Sequence, residues 1–151
     1  MLKHVLVPLD GSEVATKAVD YACSITAPDG QITLLTALDV PEYPAMAFYP
    51  SVIAYDNNHE VMTEQLIPQA QEYLQSHAQK LREAGYQVNI ETVVDEAANA
   101  IVEKADAAGV DAIVMSTHGR SGLSRWLFGS VANKVLGSTQ CPVFIIPVRN
   151  R

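Results

Sequence analysis

The chain has 151 residues, 48% of them hydrophobic, which suits one globular domain with a proper core and argues against disorder. Its net charge of −7 argues against general nucleic-acid binding, which selects basic faces. No apolar run approaches a membrane span, and the opening MLKHVLVPLDGSE lacks the apolar length and cleavage site of a secretion signal; a cytoplasmic protein without membrane insertion is expected.

Taken in chain order, HVLVPL (His4 to Leu9) is apolar and β-branched enough for a buried strand. DGSE breaks it, and Ser12 can cap a helix whose apolar stripe is Val14, Ala15, Ala18, Val19 and Ala22. APDG closes that unit, and residues 31–40, QITLLTALDV, read as a second buried strand. Residues 41–60, with three prolines, Tyr43, Phe48, Tyr49 and Tyr55, exceed an ordinary connection; they read either as an ordered lid or subunit contact, or as a floppy loop. A long helix then runs to about Ala84 on Leu66, Ala70, Leu74, His77 and Leu81, with Pro68 in its first turn or at a kink. Gly85 stops it. YQVNIETVV is a third strand, 97–108 a third helix ended by Gly109, and VDAIVMS a fourth strand. A short helix from Ser130 to Leu136, closed by Gly137, leads to a last strand, PVFIIPV.

Single residues along the way have modest readings. His59 and His77 are not spaced as metal ligands, and His77, on the apolar helix face, is expected to be half-buried. Cys23 and Cys141 match no metal spacing and read as buried free thiols.

Strand and helix alternate throughout, so the fold class is α/β: one domain over 1–151, with a parallel sheet covered by helices on both faces. Such folds bind ligands past the carboxyl ends of strands, where the strand order reverses. That selects Asp10 to Ser12, Ala37 to Asp39, Val94 to Asp95 and the loop after Met115.

The last of these, STHGRSGLSRWLFGS (116–130), holds three glycines, two arginines, five serines or threonines and no carboxylate. All 17 acidic residues of the chain fall at or before Asp111, while Arg120, Arg125, Lys134, Arg149 and Arg151 follow it. A basic last quarter in an acidic protein marks a local anion site, or else a final segment that simply carries few carboxylates. Gly129-Ser130 should open a helix, whose first N–H groups lack partners and carry partial positive charge. Gly119 and Gly122 allow the loop to turn. His118, Arg120 and Arg125 can reach phosphates or stand solvated, and Leu127 and Phe128 are expected to pack into the core. Neither a Gly-Lys-Ser/Thr phosphate loop nor a Gly-x-Gly-x-x-Gly fingerprint is present.

On HVLVPLDGSEVATKAV, ITLLTALDV and VDAIVMSTHGRSGLSRWLFGSVANKVLGSTQCPVFIIP, the chain resembles the universal stress protein family over essentially its whole length. The resemblance implies an open five-stranded parallel sheet, Rossmann-like and of the adenine nucleotide alpha hydrolase type. It also implies a homodimer, and ATP or AMP as the bound ligand, with Mg²⁺ accompanying a triphosphate. Nucleotide-binding members are similar in a Gly-x2-Gly-x9-Gly-Ser/Thr pattern; here Gly119 and Gly129-Ser130 match its latter part, and Ser116 stands where its first glycine would be. By that resemblance Gly119, Gly129, Ser130 and Val131 hold phosphates. Asp10 accepts from the ribose, flanked by Pro8 and Leu9, and Ala37 meets the adenine edge while Val94 packs on the ring. From the residues alone, Asp10 serves equally well as a turn-fixing group, and Ser116 either obstructs a ligand or donates to it.

The loop resembles a cradle more than a catalytic centre: it has no carboxylate, and no Ser-His-Asp spacing accompanies it. The expected function is a nucleotide-binding stress or regulatory protein whose occupancy alters a surface read by a regulatory protein partner. A slow ATP hydrolase and an interaction module without nucleotide are the alternatives. The apolar last strand should form a sheet edge, which pairing with a second copy would cover.

Overall fold

Five strands and four α-helices, in the expected alternation, make up most of the computed structural model, which describes residues 1–39, 62–117 and 128–147. They are β1 (Leu2–Pro8), α1 (Glu13–Ile25), β2 (Thr26–Leu38), α2 (Ile67–Glu83), β3 (Gln87–Val94), α3 (Ala97–Ala108), β4 (Ala112–Ser116), α4 (Ser130–Ser138) and β5 (Val143–Ile146), with a π-helical turn at Met62–Leu66 before α2. The sheet order is β3-β2-β1-β4-β5 and every pairing is parallel. The order reverses between β1 and β4, which is where a ligand crevice belongs.

The inner stretches of the central strands, residues 5–7, 32–35 and 112–115, are buried because both faces are covered. Alternate side chains feed two cores. Val5, Val7, Leu9, Ile32, Leu34, Ala112 and Val114 pack with α1 and α2 on one face. Leu6, Leu35, Ile113 and Met115 pack with α3 and α4 on the other.

Local chemistry explains most boundaries. The Ser12 hydroxyl accepts from the Ala15 N–H at 3.2 Å and caps α1. Pro68 sits in the first turn of α2, where its missing N–H costs nothing. Gly109 caps α3 in the left-handed conformation.

Four expectations change. β2 begins at Thr26, not at residue 31: APDG is not a closing turn but part of the strand, which bulges between the Leu2–Thr26 and His4–Gln31 pairs. Gly30 permits this, since a Cβ there would lie 2.6 Å from Thr26 Cγ2 and 2.9 Å from the Ala27 oxygen. Gly137 lies inside α4, which runs on to Ser138 and ends where the Thr139 N–H reaches the Val135 carbonyl. Phe128 is not core; it is 49% exposed just before α4. Both cysteines are free as expected, but half-buried rather than buried, with Cys141 two residues ahead of β5. Among the described residues, no helix is long and apolar enough to cross a membrane.

Candidate functional site

At the carboxyl end of β1, the Leu9 N–H donates to the Leu35 carbonyl at 2.8 Å, and the Thr36 hydroxyl donates to the Leu9 carbonyl at 2.9 Å. These bonds lock the strand end just before Asp10. Gly11 then turns the chain at φ 85°, a conformation that side chains resist. Asp10 Oδ1 accepts from the Ser12 N–H at 2.9 Å and from the Ser12 hydroxyl at 2.5 Å. Asp10 therefore fixes the turn while remaining exposed at the sheet edge. Behind it the Tyr73 hydroxyl of α2 is buried with no hydrogen-bond partner among the described residues. Burial first, and the Asp10 charge second, push its pKa up, while the nearby Gly11 N–H pulls the other way.

Gly129 leads into α4 with φ −58° and ψ 160°, angles open to any residue. The value of glycine there is its missing side chain. As the N-cap residue, Gly129 offers this helix start no side-chain cap. Asn133 holds the entry from below, donating its side-chain N–H to the Phe128 carbonyl at 3.0 Å and its backbone N–H to the Gly129 carbonyl at 3.0 Å. The first N–H groups of α4 thus receive no cap from the side chain of their own N-cap residue.

Both features open on one cleft of about 350 Å³ at the switch point. Of the residues expected to bind, Pro8, Leu9, Asp10, Ala37, Ser116, Gly129, Ser130 and Val131 line it. Ser12 stands behind Asp10 and is not in the lining. Val94 is not brought to it: Val93 packs into the α3–α4 core, so its neighbour points to the other face of the sheet, 48% exposed. His118, Gly119, Arg120 and Gly122, like residues 41–60, lie outside the described residues.

The lining also contains Ala15, Leu35, Ala97, Ile101, Met115 and Ala132, which sequence reasoning had assigned only to helix stripes and strands. An alanine or isoleucine in a helical stripe reads as core, and only the packing tells which member of the stripe meets open space. The cleft is therefore divided. One end is alkyl, built from β2, β4 and α3. The other holds the amide groups of α4 with the Ser116 and Ser130 hydroxyls, and among the described lining residues Asp10 is the single ionisable group. No group of three or more His, Cys, Asp or Glu that could hold a metal occurs among the described residues.

Open parallel α/β sheets carry their ligand sites at switch-point clefts of this kind, and a helix amino terminus there favours anions. Comparison with known proteins narrows the class. The model of the universal stress protein family matches residues 1–147, and the chain belongs to that family. It is 31% identical over 147 residues to universal stress protein MJ0531 of Methanocaldococcus jannaschii, covering 97% of this chain and 82% of that one. The solved structure of MJ0577, a universal stress protein of the same organism, superposes with a TM-score of 0.83 at 27% identity, over 99% and 98% of the two chains. A universal stress protein solved in complex with cAMP superposes with a TM-score of 0.64 at 25% identity, over 97% of each chain.

Proposed function

We propose that this protein binds an adenine nucleotide, ATP or AMP, in the switch-point cleft and acts as a cytoplasmic regulator in stress responses. The observation that carries this reading is the divided cleft: an alkyl half for a base, Asp10 between, and the uncapped start of α4 for phosphates. The relative that holds cAMP supports it. In this reading Gly129, Ser130 and Val131 hold phosphate, with Gly119, His118, Arg120 and Gly122 of the adjoining loop. Asp10 accepts from the ribose, flanked by Pro8 and Leu9, and held in place by Ser12.

A magnesium ion would draw most of its oxygen ligands from a triphosphate and water, since Asp10 is the one carboxylate in the described lining. The lack of a carboxylate in residues 116–130 supports holding over hydrolysis. Calorimetric titration with ATP and AMP tests the reading: saturable binding near one nucleotide per chain is expected, and absence of heat with both would refute it. A second reading, an interaction module without nucleotide, draws on Ser116, which puts a side chain in the lining where the family pattern has glycine.

Homodimerisation through β5 belongs to the same proposal. β5 is a sheet edge, and Phe144 on it is 44% exposed. Sedimentation should give twice the 16.4 kDa of one chain, and a species of 16.4 kDa alone would exclude this pairing.

A further inference from the structure

We propose that Ala97, the first residue of α3, sets the size of the group that the apolar end of the cleft accepts. Three observations converge on it. Ala97 lines the cleft together with Ile101, one turn further along α3, and these two face Leu35 and Ala37 of β2. Ala97 is also unlike its neighbours. Ala98 and Ala100 are 5% and 3% exposed and pack into the core, whereas Ala97 is only half-buried. Half-buried and in the cleft wall, it is the alanine of this turn at which a larger side chain would enter the cleft and not the interior.

The third observation is that the wall cannot retreat. The Asp95 N–H donates to the Leu38 carbonyl at 3.1 Å, tying the start of α3 to the end of β2. The Asp95 carboxylate accepts from the Glu96 N–H at 2.7 Å and from the Asn99 side chain at 3.1 Å, which fixes the first turn. On the other side Lys134 Nζ of α4 donates to Glu96 Oε1 at 2.6 Å. Ala97 is thus held between two anchored neighbours, and added volume displaces ligand instead of helix.

The inference rests on the nucleotide reading, in which the group at this end is the base. The test is a graded series, Ala97→Ser, Ala97→Val and Ala97→Leu, titrated with ATP and with inorganic tripolyphosphate, with a thermal melt of each variant. Melting temperatures close to wild type are expected. ATP affinity should stay near wild type in Ala97→Ser, fall in Ala97→Val, and fall about tenfold or more in Ala97→Leu. Tripolyphosphate affinity should stay constant across the series, which a general distortion of the site would not allow. ATP binding that ignores side-chain size, or tripolyphosphate binding lost in parallel with ATP, overturns the proposal while leaving the nucleotide reading in place. Wild-type protein that binds no ATP overturns that reading and this one with it. Ala97→Val keeps the test decisive if the leucine variant misfolds.

Discussion

The two ends of the sheet treat their polar groups differently. At the amino end the protein satisfies them internally. Asp111 accepts from the Lys3 and His4 N–H groups at 2.8 and 2.9 Å, and His4 Nε2 bonds the Thr33 hydroxyl at 2.8 Å. At the carboxyl end the N-cap residues of α3 and α4, Glu96 and Gly129, make no side-chain cap hydrogen bond, and the first residues of both helices line a cleft. Groups answered from within the chain stabilise; donors left facing a cleft are available to a ligand. Ser12 and Asp10 stand between these cases, since one pair of groups both caps α1 and presents a carboxylate to the site.

Substitutions at the two ends should therefore separate binding from stability. The largest effect is expected for Gly129→Val. Its backbone angles suit valine, so the fold should be kept, while the added side chain blocks the phosphate end and costs roughly 2 kcal/mol or more of nucleotide binding. Calorimetry with an affinity equal to wild type would mean that phosphates lie elsewhere. Ser12→Ala should affect both properties. Losing the α1 cap lowers stability by about 1 kcal/mol, and nucleotide affinity should weaken as Asp10 loses the hydrogen bond from the Ser12 hydroxyl, keeping only that from the backbone N–H; a stability loss with binding untouched would detach Asp10 from the ligand. Asp111→Ala is the converse, expected to lower stability by about 1 kcal/mol in denaturant titration with no change in affinity.

The smallest effect concerns pH. Burial lowers the pKa of His4, against the opposing charge of Asp111, and likewise that of His77, helped by Lys80. The unfolded chain then takes up protons first as the pH falls. The stability held above the ordinary histidine value near 6.5 is lost progressively as pH drops through it towards the lower folded values. Melts from pH 8 to 5 should show this decline, and it should shrink in a His4→Gln, His77→Gln variant. A decline of equal size in that variant would mean that neither histidine carries it.

Much of this was legible before any coordinates. Apolar runs marked all five strands, and Ser12, Pro68, Gly85 and Gly109 punctuated the helices where their chemistry requires. The start of β2 was not legible, because Pro28-Asp29-Gly30 is also how a turn is written; Gly30 is there for close backbone approach across a bulge. Phe128 misled because an aromatic beside an apolar pair reads as core. In the site, the polar and glycine positions announced themselves, whereas Ala97, Ile101 and Met115 did not. An alkyl wall has the same composition as the core behind it, and Ile101 and Met115 are as buried as that core, so only the packing distinguishes the two.

The most direct test of the central claim is to purify the protein gently, denature it and identify the released small molecules by mass spectrometry. An adenine nucleotide near one per chain is the predicted result. A protein that releases none, even after incubation with ATP and removal of the excess, would contradict the account.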